Sequence, residues 1–174
     1  MIKKIINILY NAGVYLLISL GILLVLTSIL WIIKIPMTIV NLPISLLISA
    51  IILYRKEKKE IIIPILIGIL ILILSIMVSG HIFDQSDDGN SYHKETIGMI
   101  KNGWNPIWDD YDEFSEQNNL TSNHQLWAEH YPKTNWIIGS SIYSLTDNIE
   151  TAKSYNLLIL FIGFTIFLKY LYAM

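Results

Sequence analysis

The stretch that decides the fold of this chain runs from residue 61 to residue 78 and reads IIIPILIGILILILSIMV. It contains no charged side chain. At a rise of about 1.5 Å per residue, a helix of this length crosses most of the roughly 30 Å hydrocarbon core of a bilayer. We therefore predict an all-α membrane protein with one transmembrane helix over about residues 61–79.

Composition supports this interpretation, because 53% of the 174 residues are hydrophobic and only 15% are charged. These values exclude a soluble domain of ordinary composition and predict membrane lipid as a partner. The chain has no cysteine, which excludes disulfides, thiolate metal sites and cysteine nucleophiles. Any functional site must use oxygen and nitrogen groups, and we expect no nucleic-acid partner.

Three further apolar stretches lie outside this segment, over residues 13–33, 35–54 and 156–174. We predict about four transmembrane helices, and we expect Pro43 to kink the second of them. The last stretch is short and ends as it returns to the cytoplasm. This ending predicts that the chain is a truncated piece of a longer protein.

Charge is distributed unevenly between these stretches. The basic cluster RKEKKE at residues 55–60 is typical of a cytoplasmic loop, and it places the amino terminus in the cytoplasm as well. Residues 80–155 contain twelve carboxylates and four lysines, so three crossings put an acidic loop outside. The predicted organisation is a membrane region over residues 1–79, an extracytoplasmic loop over 80–155 and a fourth helix over 156–174.

The loop begins with FDQSDDGNSYH at residues 83–93. Its three carboxylates, Asp84, Asp87 and Asp88, follow the third span by a few residues and therefore lie near the membrane surface. Carboxylates this close raise one another's pKa or recruit a cation, so they can supply a general base or a metal site. The simpler alternative is a solvated turn at a helix end.

A calcium loop is a second interpretation of the same stretch. Asp84, Asp88 and Glu95 occupy positions one, five and twelve of the EF-hand pattern, but Ser91 and Tyr92 depart from it at positions eight and nine. If a divalent cation (Mg, Mn or Ca) is used, these three carboxylates are the predicted ligands. No cofactor is otherwise indicated.

Short helices are expected within the loop. Ile97, Ile100 and Trp104 recur at helical spacing and predict an amphipathic helix that lies on the membrane and ends at Gly103. Pro132 predicts the start of another helix. The last span is expected to begin near residue 149, where Asp147 or Asn148 can cap it.

Several of these motifs together resemble the amino-terminal part of bacterial multi-pass GT-C-type membrane glycosyltransferases. The motifs are Asp88-Gly89 with Tyr92-His93, then Gly103-Trp104-Asn105-Pro106, and later His130-Tyr131-Pro132-Lys133 with Trp136. The resemblance covers about residues 83–156. It implies location in the bacterial cytoplasmic (inner) membrane and transfer of a sugar from a polyprenyl-phosphate-linked donor to an extracytoplasmic glycan, lipid or protein acceptor.

Roles for individual residues follow from this expected reaction. The acceptor hydroxyl needs a carboxylate base, for which Asp88 is the first candidate, with Asp84 and Asp87 able to share the role or to hold a cation. The departing phosphate needs a cation, for which Lys133 is the candidate. His93 and His130 are expected to orient the acceptor or bind the phosphate, and the resemblance adds Tyr92 to the substrate-binding residues.

A non-catalytic membrane protein is the alternative from another functional class. A sensor, a transporter subunit or an assembly factor whose acidic loop binds a cation or a partner has the same hydropathy and charge pattern. A reading frame that continues past Met174 with further spans favours the enzyme.

Overall fold

The computed structural model describes residues 2–118 and 124–174, and within these ranges every regular element is a helix. The helices are α1 (Ile2–Ile32), α2 (Asn41–Glu57), α3 (Ile62–Gly80), α4 (Lys94–Lys101), α5 (Tyr111–Gln117), α6 (Gln125–His130), α7 (Thr134–Thr146) and α8 (Ser154–Ala173). A π-helical turn, Gly89–His93, leads into α4, and 3₁₀ turns at Lys58–Ile61 and Ile149–Lys153 precede α3 and α8. The predicted all-α class is confirmed.

Three helical runs in the described part of the chain are long and apolar enough to cross a membrane: Ile2–Ile32, Asn41–Gly80 and Ile149–Ala173. Their exposed side chains are largely aliphatic and aromatic, an outer surface that suits hydrocarbon and not water. Length and composition therefore indicate a membrane-associated protein.

The run from residue 41 to residue 80 reverses direction at its centre, where Lys58 has a positive φ of 53°. The start of α2 lies beside the end of α1, because the Asn41 amide donates to Thr27 Oγ1 at 3.2 Å. The end of α2 and the start of α3 instead share a cavity with Lys4, near the start of α1. The helices α2 and α3 thus run antiparallel, and both pack on α1.

The helix boundaries differ from the sequence prediction at two places. The first helix begins at Ile2, well before residue 13, because residues 2–12 continue its helical hydrogen bonding. The second begins at Asn41, since residues 33–40 form turns and extended chain in which Thr38 donates to the Asn41 side chain. Pro43 therefore falls in the first turn of α2, where its missing N–H costs no helical bond and the expected kink is absent.

The helices approach one another closely at glycines. A Cβ on Gly13 of α1 would lie 2.2 Å from Thr165 Oγ1 of α8, and one on Gly68 of α3 would lie 2.7 Å from the Tyr15 ring of α1. Small residues at such crossings let helix backbones pack tightly where lipid supplies no hydrophobic drive. The core helix α1 is held to α8 and α3 in this way.

The helices of residues 89–153 pack as a layer over one end of this bundle. The centre of the layer is α7, which contacts α4 and donates from Ser140 Oγ to the Ile97 carbonyl at 2.9 Å. Asn105 Nδ2 and Trp108 Nε1 both donate at 2.9 Å to the Trp31 carbonyl at the end of α1, which also accepts from the Lys34 N–H at 3.0 Å. The layer is thereby tied to the bundle.

Local predictions in this region were partly correct. Helix α7 begins two residues after Pro132, and Asn148 Oδ1 accepts from the Glu150 N–H to cap the turn before α8, as expected. Trp104, which we predicted at the membrane surface, is instead 1% exposed and packs edge-on against Tyr111. The helical spacing of Ile97, Ile100 and Trp104 marks a protein core and not a lipid-facing surface.

Candidate functional site

A cavity of about 310 Å³ opens where the chain leaves α3 and enters α8. Its polar and aromatic lining comes from the turn after α3, the π-helical turn, the start of α7 and the residues before α8. The lining residues that carry ionisable or aromatic groups are Asp84, Asp88, His93, Lys94, Trp136, Glu150, Lys153 and Tyr155. Four separate segments therefore converge on one concave site.

Asp84 is fixed by a small loop of hydrogen bonds. Its Oδ1 accepts from the Ser86 N–H at 2.9 Å and from Ser86 Oγ at 2.8 Å. The hydrogen bond from the Ser86 backbone, followed by that from its side chain, lowers the pKa of Asp84 below its ordinary value. A Cβ on Gly89 would lie 2.1 Å from Asp84 Oδ2, so this position requires glycine if the carboxylate is to keep its place.

Glu150 bridges two lysines at the wall of the cavity. Lys94 Nζ lies 2.5 Å from Glu150 Oε1, and Lys153 Nζ lies 2.5 Å from Oε2. The Asp84 N–H also donates to Glu150 Oε2 at 3.0 Å. Two ammonium groups thus face the Glu150 carboxylate, and with Asp84 and Asp88 the lining holds three carboxylates and two lysines.

His93 also lines the cavity and contacts Trp136. The Trp136 indole donates from Nε1 to His93 Nδ1 at 2.8 Å. Burial lowers the pKa of His93 below its ordinary value, although the nearby Asp88 and Asp84 carboxylates act in the other direction. The imidazole is therefore neutral at neutral pH, with its proton on Nε2.

An aromatic cluster supports this wall from behind. The Tyr92 ring stacks on Trp127 with centroids 5.8 Å apart and meets Tyr131 edge-on at 5.6 Å, while Tyr131 stacks on Trp136 at 6.4 Å. Burial, followed by the Asp88 carboxylate, raises the pKa of Tyr92. These rings hold Trp136 and His93 in one orientation.

The structure divides the residues nominated from the sequence. Asp84, Asp88 and His93 line the cavity, Tyr92 lies behind it, and the exposed Asp87 does not line it. His130 and Lys133 also lie outside the lining.

Their side chains serve local backbone groups. His130 Nδ1 contacts the Leu126 carbonyl, and Lys133 Nζ donates to the Glu129 and Tyr131 carbonyls at 2.8 Å each.

The predicted cation ligands are not brought together. Asp84 and Asp88 share the cavity, but the Glu95 carboxylate accepts a hydrogen bond from the Tyr111 hydroxyl and lies 2.9 Å from His124 Nδ1. Across residues 2–118 and 124–174, no group of three or more His, Asp or Glu side chains is arranged to hold a metal ion. The calcium-loop pattern thus lacks its twelfth-position ligand at the site.

Sequence reasoning did not find Lys94, Glu150 or Lys153, which it treated only as loop charges. The sequence does contain a signal for two of these residues, Glu150 and Lys153. Glu150 and Lys153 stand one helical turn apart at the edge of the last apolar stretch, where an isolated carboxylate is costly unless paired. Lys94 reaches them only through the fold, across 56 positions of sequence.

The chain was compared with protein-family models, with curated proteins and with solved structures, and none of the three comparisons gives a match.

Proposed function

We propose that the protein is a glycosyltransferase of the bacterial cytoplasmic membrane that takes its sugar from a polyprenyl-phosphate-linked donor. In this proposal α1, α2, α3 and α8 each cross the membrane, and residues 81–153 lie outside. The reversal of the chain at Lys58 and the basic residues 55–60 support this topology.

The observation that carries the proposal is the joint placement of carboxylates and lysines at the end of the helix bundle. Asp84, Asp88, Lys94 and Lys153 line one cavity directly beyond α3 and α8. A lipid-linked donor keeps its phosphate at the membrane surface, so the groups that act on it must lie close to helix ends. The cavity meets this requirement, and a sugar fits its volume.

Asp88 is the proposed general base. It removes the proton from an acceptor hydroxyl while that oxygen forms a bond to the anomeric carbon of the sugar. Asp84 is the weaker candidate, since its hydrogen bonds from Ser86 hold its pKa low. Asp87 is outside the lining and takes no part in this scheme.

The bond between the anomeric carbon and the phosphate oxygen breaks in the same step, and its electron pair stays on the lipid phosphate. Lys94 and Lys153 are placed to stabilise this growing negative charge, which is the role that the sequence assigned to Lys133. Glu150 positions both ammonium groups. Trp136 offers an aromatic face to a sugar ring, and His93 offers its Nε2–H to a hydroxyl.

Sugar transfer in membranes tests the proposal. The protein is expressed from its natural reading frame, and membranes receive radiolabelled polyprenyl-phosphate sugars. We expect Asp88→Asn to lower the transfer rate by a factor on the order of 100 or more, because the base is lost without a change of shape. The matched control is Asp87→Asn, which removes a neighbouring exposed carboxylate and should change the rate by less than about twofold.

The contrary outcomes are distinct. Transfer that survives in Asp88→Asn but is lost in Asp84→Asn moves the base to Asp84. Absence of transfer by the wild-type protein from every donor tried contradicts the enzyme and favours a membrane protein whose loop binds a cation or a partner.

A further inference from the structure

The opposite end of the helix bundle contains a second cavity, of about 580 Å³, that the proposed reaction does not use. It lies between the start of α1, the turn that joins α2 to α3, and the end of α8. Its ionisable lining residues are Lys4, Lys59, Lys169, Tyr10, Glu57 and Glu60. Three lysines from three separate segments therefore line one cleft, together with two glutamates.

Lys169 is the least exposed of these lysines, and its partners are neutral. Its Nζ donates to Asn7 Oδ1 and lies 5.7 Å from the centre of the Tyr10 ring. Within the described ranges, no carboxylate lies within 4.0 Å of its ammonium group. A half-buried ammonium at the end of an apolar helix is poorly compensated by such partners, so an anion beside it is favoured.

The two carboxylates of the lining do not cancel this positive charge. Glu57 forms an ion pair at 3.7 Å with Lys56, a residue that does not line the cavity. This end of the bundle holds seven basic and two acidic side chains: Lys3, Lys4, Arg55, Lys56, Lys58, Lys59 and Lys169 against Glu57 and Glu60. The field around the cavity is therefore positive.

An apolar surface continues from the cavity along α3. Ile63 lines the cavity and is 57% exposed, and Leu66 and Leu70 follow at helical spacing with 61% and 52% of their surface exposed. This strip is placed to contact acyl chains while the lysines contact a headgroup. A small soluble anion would not contact this apolar strip.

From these contacts we propose that the cavity binds an anionic phospholipid. The headgroup phosphate contacts Lys4, Lys59 and Lys169, and the acyl chains lie along Ile63, Leu66 and Leu70. Basic clefts between helices at a membrane surface are suited to such headgroups. The proposal is independent of the reaction proposed above, since it concerns the other end of the bundle.

Lipid titration of the purified protein in neutral detergent, followed by native mass spectrometry, tests this site. The probes are phosphatidylglycerol and phosphatidylcholine with identical acyl chains. We expect the wild-type protein to retain phosphatidylglycerol preferentially. The double substitution Lys4→Gln/Lys169→Gln should weaken that binding roughly tenfold or more, since each cation near an anionic headgroup contributes about fivefold.

The control is Lys3→Gln/Arg55→Gln, which removes the same charge from the same end without touching the lining, and it should weaken phosphatidylglycerol binding much less than the test variant does. If the first variant does not fold, Lys4→Gln/Lys59→Gln carries the test with two exposed positions. Equal losses in control and test variants, or equal retention of the two lipids by the wild type, overturn the proposal. Displacement of the lipid by millimolar glycerol phosphate also overturns it, in favour of a soluble phosphate ligand.

Discussion

At the scale of single residues, His93 links the fold to the chemistry of the cavity. Its Nδ1 accepts the Trp136 hydrogen bond only while that nitrogen carries no proton, and burial lowers its pKa. The folded-state pKa therefore lies below the unfolded value of about 6.5. The stability that neutral His93 contributes is complete above about pH 6.5 and is lost as the pH falls toward the folded-state pKa.

Replacing Trp136 by Phe should raise the pKa of His93 toward its ordinary value, because the donor that favours the neutral ring is removed. An NMR titration of ¹⁵N-labelled histidine in micelles measures this shift. Trp127→Phe is the control, since Trp127 stacks on Tyr92 and makes no hydrogen bond to His93. An unchanged pKa in Trp136→Phe contradicts the assigned tautomer and the hydrogen bond together.

The candidate site was predictable where it is local in sequence. Asp84, Asp88 and His93 lie within ten residues, so one turn of chain brings them together. Lys133 lies outside the cavity lining because its long side chain folds back onto two carbonyls, a choice of rotamer that no sequence pattern records. Glu150 joins the site only through the packing of α8 against α3.

At the scale of helices, two glycines of α1 have opposite surroundings. A Cβ on Gly13 would meet Thr165 at 2.2 Å, whereas one on Gly21 would meet nothing within 4 Å. The same substitution at the two positions thus separates helix packing from helix propensity.

Gly13→Leu should destabilise the protein by about 1–3 kcal/mol, because the new side chain forces α8 away from α1. Gly21→Leu should be neutral or slightly stabilising, because leucine favours helix over glycine and the site is open. Thermal unfolding in detergent, followed by circular dichroism, measures both. Equal effects of the two substitutions would show that α1 and α8 do not meet at Gly13 in the membrane protein.

Hydropathy predicted the long apolar helices but not their ends. Residues 33–40 are as apolar as the helix that follows, yet Pro36 and the hydrogen bonds between Thr38 and Asn41 keep them outside it. The start of α1 was missed for the opposite reason. Its first turns contain Lys3, Lys4 and Asn7, polar residues that lower hydropathy without opposing a helix.

At the scale of the whole molecule, membrane topology is the prediction on which the proposed reaction depends. Two crossings by residues 41–80 place the loop and the amino terminus on opposite sides, whereas one crossing places them on the same side. The basic residues 55–60 favour two crossings, with the turn inside.

Because the chain has no cysteine, the proposed membrane topology can be tested with single substitutions to cysteine. A membrane-impermeant maleimide should label Asp112→Cys in intact cells and Lys58→Cys only after permeabilisation. Both positions are exposed on the protein surface, so the fold itself does not block the maleimide at either one. Labelling of Lys58→Cys from outside contradicts the proposed orientation, and protection of both positions until permeabilisation indicates a loop that stays in the cytoplasm.

The hydrogen bonds that close the first cavity also set when it can form. The hydrogen bond from the Asp84 N–H to Glu150 Oε2 joins residues 66 positions apart in sequence. The hydrogen bond from Asn148 Nδ2 to the Gly80 carbonyl joins residues 68 positions apart. During synthesis the ribosome adds the aspartates of this site long before it adds Asn148 and Glu150. The aspartate turn therefore stays solvated and incomplete until the segment that begins α8 has been synthesised, so the site cannot form while the first three helices are being made.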